Sequence, residues 1–237
     1  MLQKARERLI FALDVNTADE AENLVRMLAS EVGVFKVGLE LFIAQGPEIL
    51  ARLRRAGAQA IFLDLKLHDI PATMRAAAKS AARHGVDLLT CHCEQADIFT
   101  GLDLGPTKLL GVTVLTSLGP EDLAAMGYPA ELTDPAALVV KRAGLAMAAG
   151  CHGVVCSGLE AAPVRQALGP EALVVCPGIR PTDDKAGADD QKRIVTPDMA
   201  MRNGASHIVV GRPIRTARDP LAAAHTVVES LAQGLAA

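Results

Sequence analysis

Ile61-Phe62-Leu63-Asp64-Leu65-Lys66-Leu67-His68-Asp69-Ile70-Pro71-Ala72-Thr73 begins as an apolar run and ends in a burst of charge. With Ala60 before them, Ile61, Phe62 and Leu63 have the unbroken apolar character of a strand covered on both faces. Side chains alternate along a strand, so Asp64, Lys66 and His68 are expected on one face and Leu63, Leu65 and Leu67 on the other. A covered strand that turns ionic at its end sets those charges at a mouth. Taking Asp64 and Lys66 out of water costs several kcal/mol per ion unless they pair and gain further hydrogen bonds. One reading is structural, an ion pair at a strand end followed by Asp69 as the N-cap of the next helix. The other is a charge cluster built for chemistry.

The rest of the chain favours chemistry, because polar residues recur at the ends of six other apolar runs: Asp14, Lys36, His92, Thr116 with Ser117, Arg180 and Arg212. Strands are predicted over 9–14, 34–38, 86–92, 108–116, 153–156, 173–176 and 208–210, besides the quoted one. Helices are predicted between them. Thr17-Ala18-Asp19-Glu20 caps one that runs to about Ala29, and another covers Pro47 to Arg55, stopped near Gly57. Further helices cover Pro71 to His84, opened by Asp69 and Pro71, and Ala162 to Leu168; others start near Asp134-Pro135, Thr196-Pro197 and Asp219-Pro220. The stretch 94–107, with Gly101, Gly105 and Pro106, suits a barrel helix poorly, and a long excursion through Tyr128 follows the fifth strand. Eight strands alternating with seven or eight helices predict a (β/α)8 TIM barrel, one domain over 1–237, with its site at the C-terminal face of the strands.

Composition agrees with a packed α/β chain. Half of the 237 residues are hydrophobic, yet there is no Trp and one Tyr, so the core is aliphatic. The net charge is −3 and no Lys/Arg block tracks a nucleic-acid backbone, so no nucleic-acid partner is expected. A charged N-terminus without an apolar leader, and no run of about 18 apolar residues, predict a cytoplasmic protein with no membrane association. The five cysteines, Cys91, Cys93, Cys151, Cys156 and Cys176, lie in or beside apolar runs and read as buried thiols. Cys91-His92-Cys93 is the one metal-like spacing, and without a second close pair it is not read as a zinc site.

The run from Asp64 to Thr73 resembles the D-x-K-x-x-D-I-P-x-T signature of orotidine 5'-monophosphate decarboxylases. Supporting segments fall in the same order: Phe11-Ala12-Leu13-Asp14, Phe35-Lys36-Val37-Gly38, 112–117, Pro177-Gly178-Ile179-Arg180-Pro181 and Val210-Gly211-Arg212-Pro213-Ile214. The likeness covers almost the whole chain. It implies decarboxylation of orotidine 5'-monophosphate to uridine 5'-monophosphate, in pyrimidine nucleotide synthesis, by a homodimer without cofactor or metal. It further implies Lys66 as proton donor to C6, Asp64 holding Lys66 charged and facing the substrate carboxylate, and Lys36 completing an alternating array. Asp69 would enter a partner subunit's site, Asp14 and Thr73 would contact ribose, Thr73 in trans, and Thr116 with Ser117 the base. Pro177 is counted among the substrate contacts. Gly178, Arg180, Gly211 and Arg212 follow strands seven and eight, where barrels commonly hold phosphate, and the resemblance adds Gln191 closing over it. Leu67 and Ala72 depart from the aromatic and Asn often found in the signature, the loop from Arg180 to Gln191 looks slightly long, and the family usually carries a fuller helix after strand four.

Two alternatives stay open. D-x-K-x-x-D is shared with metal-dependent barrel lyases such as 3-keto-gulonate-phosphate decarboxylase and hexulose-phosphate synthase, but those carry an acidic ligand where this chain has Lys36. A catalytically silent phosphate-sugar binding barrel would leave the Lys-Asp array without a purpose.

Overall fold

The computed structural model describes residues 1–181 and 195–236. Strands β1 (Leu9–Ala12), β2 (Val34–Val37), β3 (Ala60–Leu67), β4 (Leu88–Cys91), β5 (Lys108–Val112), β6 (Gly153–Val155), β7 (Leu173–Cys176) and β8 (His207–Val210) form a closed parallel barrel in sequence order. Closure comes from β1, which pairs with both β2 and β8. The helices are α1 (Leu2–Arg8), α2 (Ala18–Leu28), α3 (Leu39–Gln45), α4 (Glu48–Ala56), α5 (Pro71–Arg83), α6 (Pro120–Ala125), α7 (Pro135–Ala148), α8 (Ala161–Leu168), α9 (Pro197–Arg202), α10 (Arg212–Arg215) and α11 (Pro220–Ala236). Among the described residues no helix is long and apolar enough to cross a membrane.

Two apolar layers follow from the pleat. Ile10, Ala12, Val34, Phe62, Leu88, Leu110, Val175 and Val209 pack together inside the barrel. Their neighbours of opposite parity, such as Phe11, Phe35, Ile61, Leu63, Leu89 and Val174, pack outward with the helices. The inner row dictates what stands at the mouth. Two residues beyond Ala12, Val34, Phe62 and Val209 come Asp14, Lys36, Asp64 and Gly211, so the apolar floor passes directly into the polar rim.

Local signals act as expected at several boundaries. Thr17 caps α2 by accepting from the Glu20 N–H, Asp134 caps α7 through the Ala136 N–H, and Gly57 ends α4 at φ 115°. Gly153 is required by packing: a Cβ there would lie 2.0 Å from the Leu173 carbonyl oxygen.

Several expectations need correction. Asp69 does not cap α5; the N-cap is Ile70, and Asp69 Oδ1 accepts from the Ile70 N–H at 2.6 Å. His68 lies past the end of β3, exposed, and leaves the face shared by Asp64 and Lys66; its Nε2 is 3.2 Å from Glu94 and its ring stacks at 4.8 Å on His92. Thr116 and Ser117 stand beyond β5, which ends at Val112. Helices α1 and α3 were not expected: each has one buried residue, Ala5 and Leu41, too few to leave a helical apolar period in the sequence. The stretch after β4, read as a poor fit to a barrel helix, indeed forms turns without one.

Candidate active site

The decisive local feature is a break in β3. Phe62 and Leu63 pair in register with Leu88 and Leu89 of β4, but the next pair is Leu67 with Cys91, so Asp64, Leu65 and Lys66 stand opposite Thr90 alone. The surplus is taken up at Lys66, whose φ of 50° lies in the left-handed region that a side chain disfavours. Such a residue persists only where its surroundings hold it, at a cost of about 1–3 kcal/mol. Here the holder is Thr90, which is fully buried. Its Oγ1 accepts from the Lys66 N–H at 2.9 Å and donates to Asp64 Oδ1 at 2.9 Å.

This turn aims the charges at one another. Lys66 Nζ donates to Asp64 Oδ1 at 2.9 Å, Lys36 Nζ stands 3.8 Å from Asp64 Oδ2, and Lys36 Nζ donates to Asp14 Oδ1 at 3.1 Å. Signs alternate along Asp14, Lys36, Asp64 and Lys66, so each ion removed from water faces an opposite charge. The Asp64 side chain is 15% exposed and that of Lys36 12%, while Lys66 keeps 33%, which leaves its ammonium accessible to a ligand.

The array lines one wall of a cavity of about 260 Å3 at the C-terminal mouth of the barrel, floored by Ala12, Phe62, Val155 and Val209. The same cavity is lined by Gly178, Arg180, Gly211 and Arg212, from beyond the ends of β7 and β8. Gly178 has φ 75°, which a residue with a Cβ rarely adopts, and a Cβ on Gly211 would lie 3.3 Å from Ala12 Cβ and 3.4 Å from Asp14 Oδ2. Arg180 is 7% exposed; its N–H donates to the Val195 carbonyl, and Ile179 bridges Val195. The cavity thus combines a balanced ion array, two arginines and an apolar floor, a lining suited to an anionic ligand with a partly apolar body.

Residues 7–227 match the family described as "Orotidine 5'-phosphate decarboxylase / HUMPS family". The chain belongs to this family. A relative from Desulfosudis oleivorans named orotidine 5'-phosphate decarboxylase is 44% identical, covering 97% of this chain and 95% of its own. One of the same name from Anaeromyxobacter sp. is 47% identical, covering 96% and 100%. The crystal structure of orotidine 5'-phosphate decarboxylase from Lactobacillus acidophilus superposes with a TM-score of 0.78 at 33% identity, covering 94% of this chain and 98% of that one.

Of the residues singled out from the family's signature and its supporting segments, Asp14, Lys36, Asp64, Lys66, Thr116, Pro177, Arg180, Gly211 and Arg212 line the one cavity. Asp69, Thr73 and Ser117 are exposed and do not line it. Asp69 instead lines a second cleft with His68, His92 and Glu94. Burial, with the neighbouring His68 and Arg142 charges adding to it, lowers the His92 pKa from its ordinary value. Gln191 lies outside the described residues. Sequence reading passed over Thr90; its signal is a lone hydroxyl in the apolar run Leu88-Leu89-Thr90-Cys91, where a buried polar group needs partners.

Replacing Thr90 by Val keeps the shape but strips both hydrogen bonds, leaving the Lys66 N–H without its acceptor. Thr90→Val is expected to lower stability by about 1–3 kcal/mol, read as a shift of the urea midpoint, and Thr90→Ser to recover most of it. An unchanged midpoint in Thr90→Val would show that the turn holds itself.

Proposed function

We propose that this chain decarboxylates orotidine 5'-monophosphate to uridine 5'-monophosphate and CO2, with Lys66 as proton donor. The observation that carries the reading is the Lys66 ammonium, 2.9 Å from Asp64 at the barrel mouth, in one cavity with Arg180 and Arg212. Departure of CO2 breaks the bond from C6 and leaves its electron pair in the ring plane, beyond the reach of ring resonance. A fixed cation beside C6 stabilises that pair, and proton transfer from Nζ to C6 completes the reaction. Asp64 orients the Lys66 ammonium through its 2.9 Å contact, with Lys36 countering its other oxygen. Facing the substrate carboxylate at ~4 Å, Asp64 would repel it by about 4 kcal/mol at an effective dielectric of ~20, partly offset by the lysines and relieved as CO2 leaves.

Binding is assigned to the remaining residues. Arg212, Gly211, Gly178 and Arg180, with Gln191, take the phosphate; Asp14 takes the ribose; Thr116 and Ser117 take the base; Pro177 completes the wall. The free state of all five buried cysteines fits a reducing, cytoplasmic setting. The family's name also covers sugar-phosphate lyases. Against a magnesium-dependent reaction here stands the position of Lys36 Nζ, 3.1 Å from Asp14 and 3.8 Å from Asp64, a cation where a metal ion would need those oxygens.

The test is to follow the ultraviolet absorbance of orotidine 5'-monophosphate. Wild-type protein should convert it, and Lys66→Ala should lose turnover by orders of magnitude while staying folded and binding uridine 5'-monophosphate. Near-normal kcat in that variant would remove Lys66 from the chemistry.

The working unit is proposed to be a twofold dimer in which Asp69 and Thr73 complete a neighbour's site. Supporting this, both are exposed and neither lines the cavity of its own barrel. Lys66→Ala and Asp69→Ala should each be nearly inactive alone. Refolded together, random pairing makes half the dimers hybrids, each with one native site, so activity should return to about a quarter of the native level. Hybrids confirmed by mass yet inactive would mean that Asp69 serves its own chain.

A further inference from the structure

Away from the charged cavity the fold gathers three sulfurs that the sequence separates. Cys91 ends β4, Cys93 follows it, and Cys151 lies in the turn between α7 and β6. Their Sγ atoms are 3.8 Å (Cys91–Cys93), 3.7 Å (Cys91–Cys151) and 3.4 Å (Cys93–Cys151) apart. Among the described residues this is the single cluster of three or more ligand-bearing side chains so close together, and it holds no fourth donor. It sits on the outer side of the barrel under α7, where a Cβ on Gly111 would lie 2.3 Å from Ala146 Cβ and 3.6 Å from Cys93 Sγ. None of the three sulfurs lines the charged cavity.

The triangle has the dimensions of a metal-thiolate face. A point at a thiolate bond length of about 2.3 Å from all three sulfurs lies about 0.9 Å out of their plane, the apex of a trigonal pyramid. Charge then selects the occupant. Three thiolates around a divalent ion leave a net negative charge, and around a monovalent ion a larger one, in an apolar layer that penalises unpaired charge. Zinc would also lack its usual fourth ligand. A trivalent centre with a lone pair satisfies both conditions: it needs three donors in a pyramid, and its trithiolate is neutral.

We propose that Cys91, Cys93 and Cys151 form a binding site for a trivalent thiophilic oxyacid of the arsenite type. In the binding step As(OH)3 exchanges three As–O bonds for three As–S bonds. The three thiol protons leave with the hydroxyls as three waters, and no electrons are transferred. The neutral acid has a way in, because Cys93 borders a cavity of about 220 Å3 lined by Tyr128, Leu138 and Arg142, and Cys93 and Cys151 are 8% and 6% exposed. Apolar packing accounts for a cysteine being buried; it does not call for three sulfurs in mutual contact.

The experiment incubates the native full chain with arsenite without oxygen or added thiol, then measures native mass and arsenic X-ray absorption. The expected result is one arsenic per chain, a mass gain of one arsenic less three hydrogens, and three sulfur neighbours with no oxygen. Cys93→Ala and Cys151→Ala should each weaken binding about a hundredfold or more by removing one of three linked donors, whereas Cys156→Ala and Cys176→Ala should leave it unchanged. Should a cluster variant fail to fold, the absorption spectrum of the wild-type chain decides alone. No retained arsenic, oxygen or fewer than three sulfurs around it, or equal loss in the Cys156 variant, would overturn the assignment.

Discussion

A carboxylate held inside a barrel mouth must have its charge answered, and Asp64 shows what that demands. One oxygen takes the Lys66 ammonium and the Thr90 hydroxyl, while the other faces Lys36. Lys66 can reach back to Asp64, two residues earlier, because β3 gives up its register with β4 and turns through a left-handed residue. Thr90 serves both requirements, since one hydroxyl satisfies the displaced backbone N–H and the carboxylate together. Losing Thr90 leaves the Lys66 N–H without its acceptor, and losing Asp64 leaves the buried Thr90 hydroxyl without its own, the condition that costs more than the net gain of a hydrogen bond. The group is therefore a preorganised unit, with its polarity fixed before any ligand arrives.

The barrel supplies the rest by parity. Residues that fill the interior of β1, β2, β3 and β8 are followed, one pleat higher, by the residues of the rim. Closure of β1 on both β2 and β8 brings the last two strand ends round beside the first three, so the ion array and the two arginines line one cavity. This explains how residues from distant parts of the chain meet at one mouth. On the proposed reading, it would also set the phosphate end and the reacting end of the substrate on different strands.

Much of this was legible in the sequence, for a physical reason. Strands covered on both faces leave continuous apolar runs, and a polar residue at the end of such a run marks the mouth; Asp14, Lys36, Asp64 and Lys66 were read in that way, and with Arg180, Gly211 and Arg212 they line the same cavity. What stayed hidden depends on packing. Alternation put His68 beside Lys66, but the strand had already ended, and His68 turned to Glu94 and His92. Asp69 looked like a helix cap from composition alone, while Ile70 holds that position. Thr90 could be found only by asking what a lone hydroxyl inside an apolar strand bonds to. The contact of Cys151 with Cys91 and Cys93 joins residues about sixty apart, a separation that no local pattern encodes.

The central claim is that Asp64 acts through charge, by holding the array in its reactive form. The most direct measurement is kcat for orotidine 5'-monophosphate in Asp64→Asn, taken beside its affinity for uridine 5'-monophosphate. The amide keeps the shape and much of the hydrogen bonding but removes the negative charge between the two lysines. The account predicts turnover lower by orders of magnitude with product affinity retained or increased, since the proposed phosphate contacts come from other residues and the product has no carboxylate to repel. A kcat within a few-fold of wild type would contradict it.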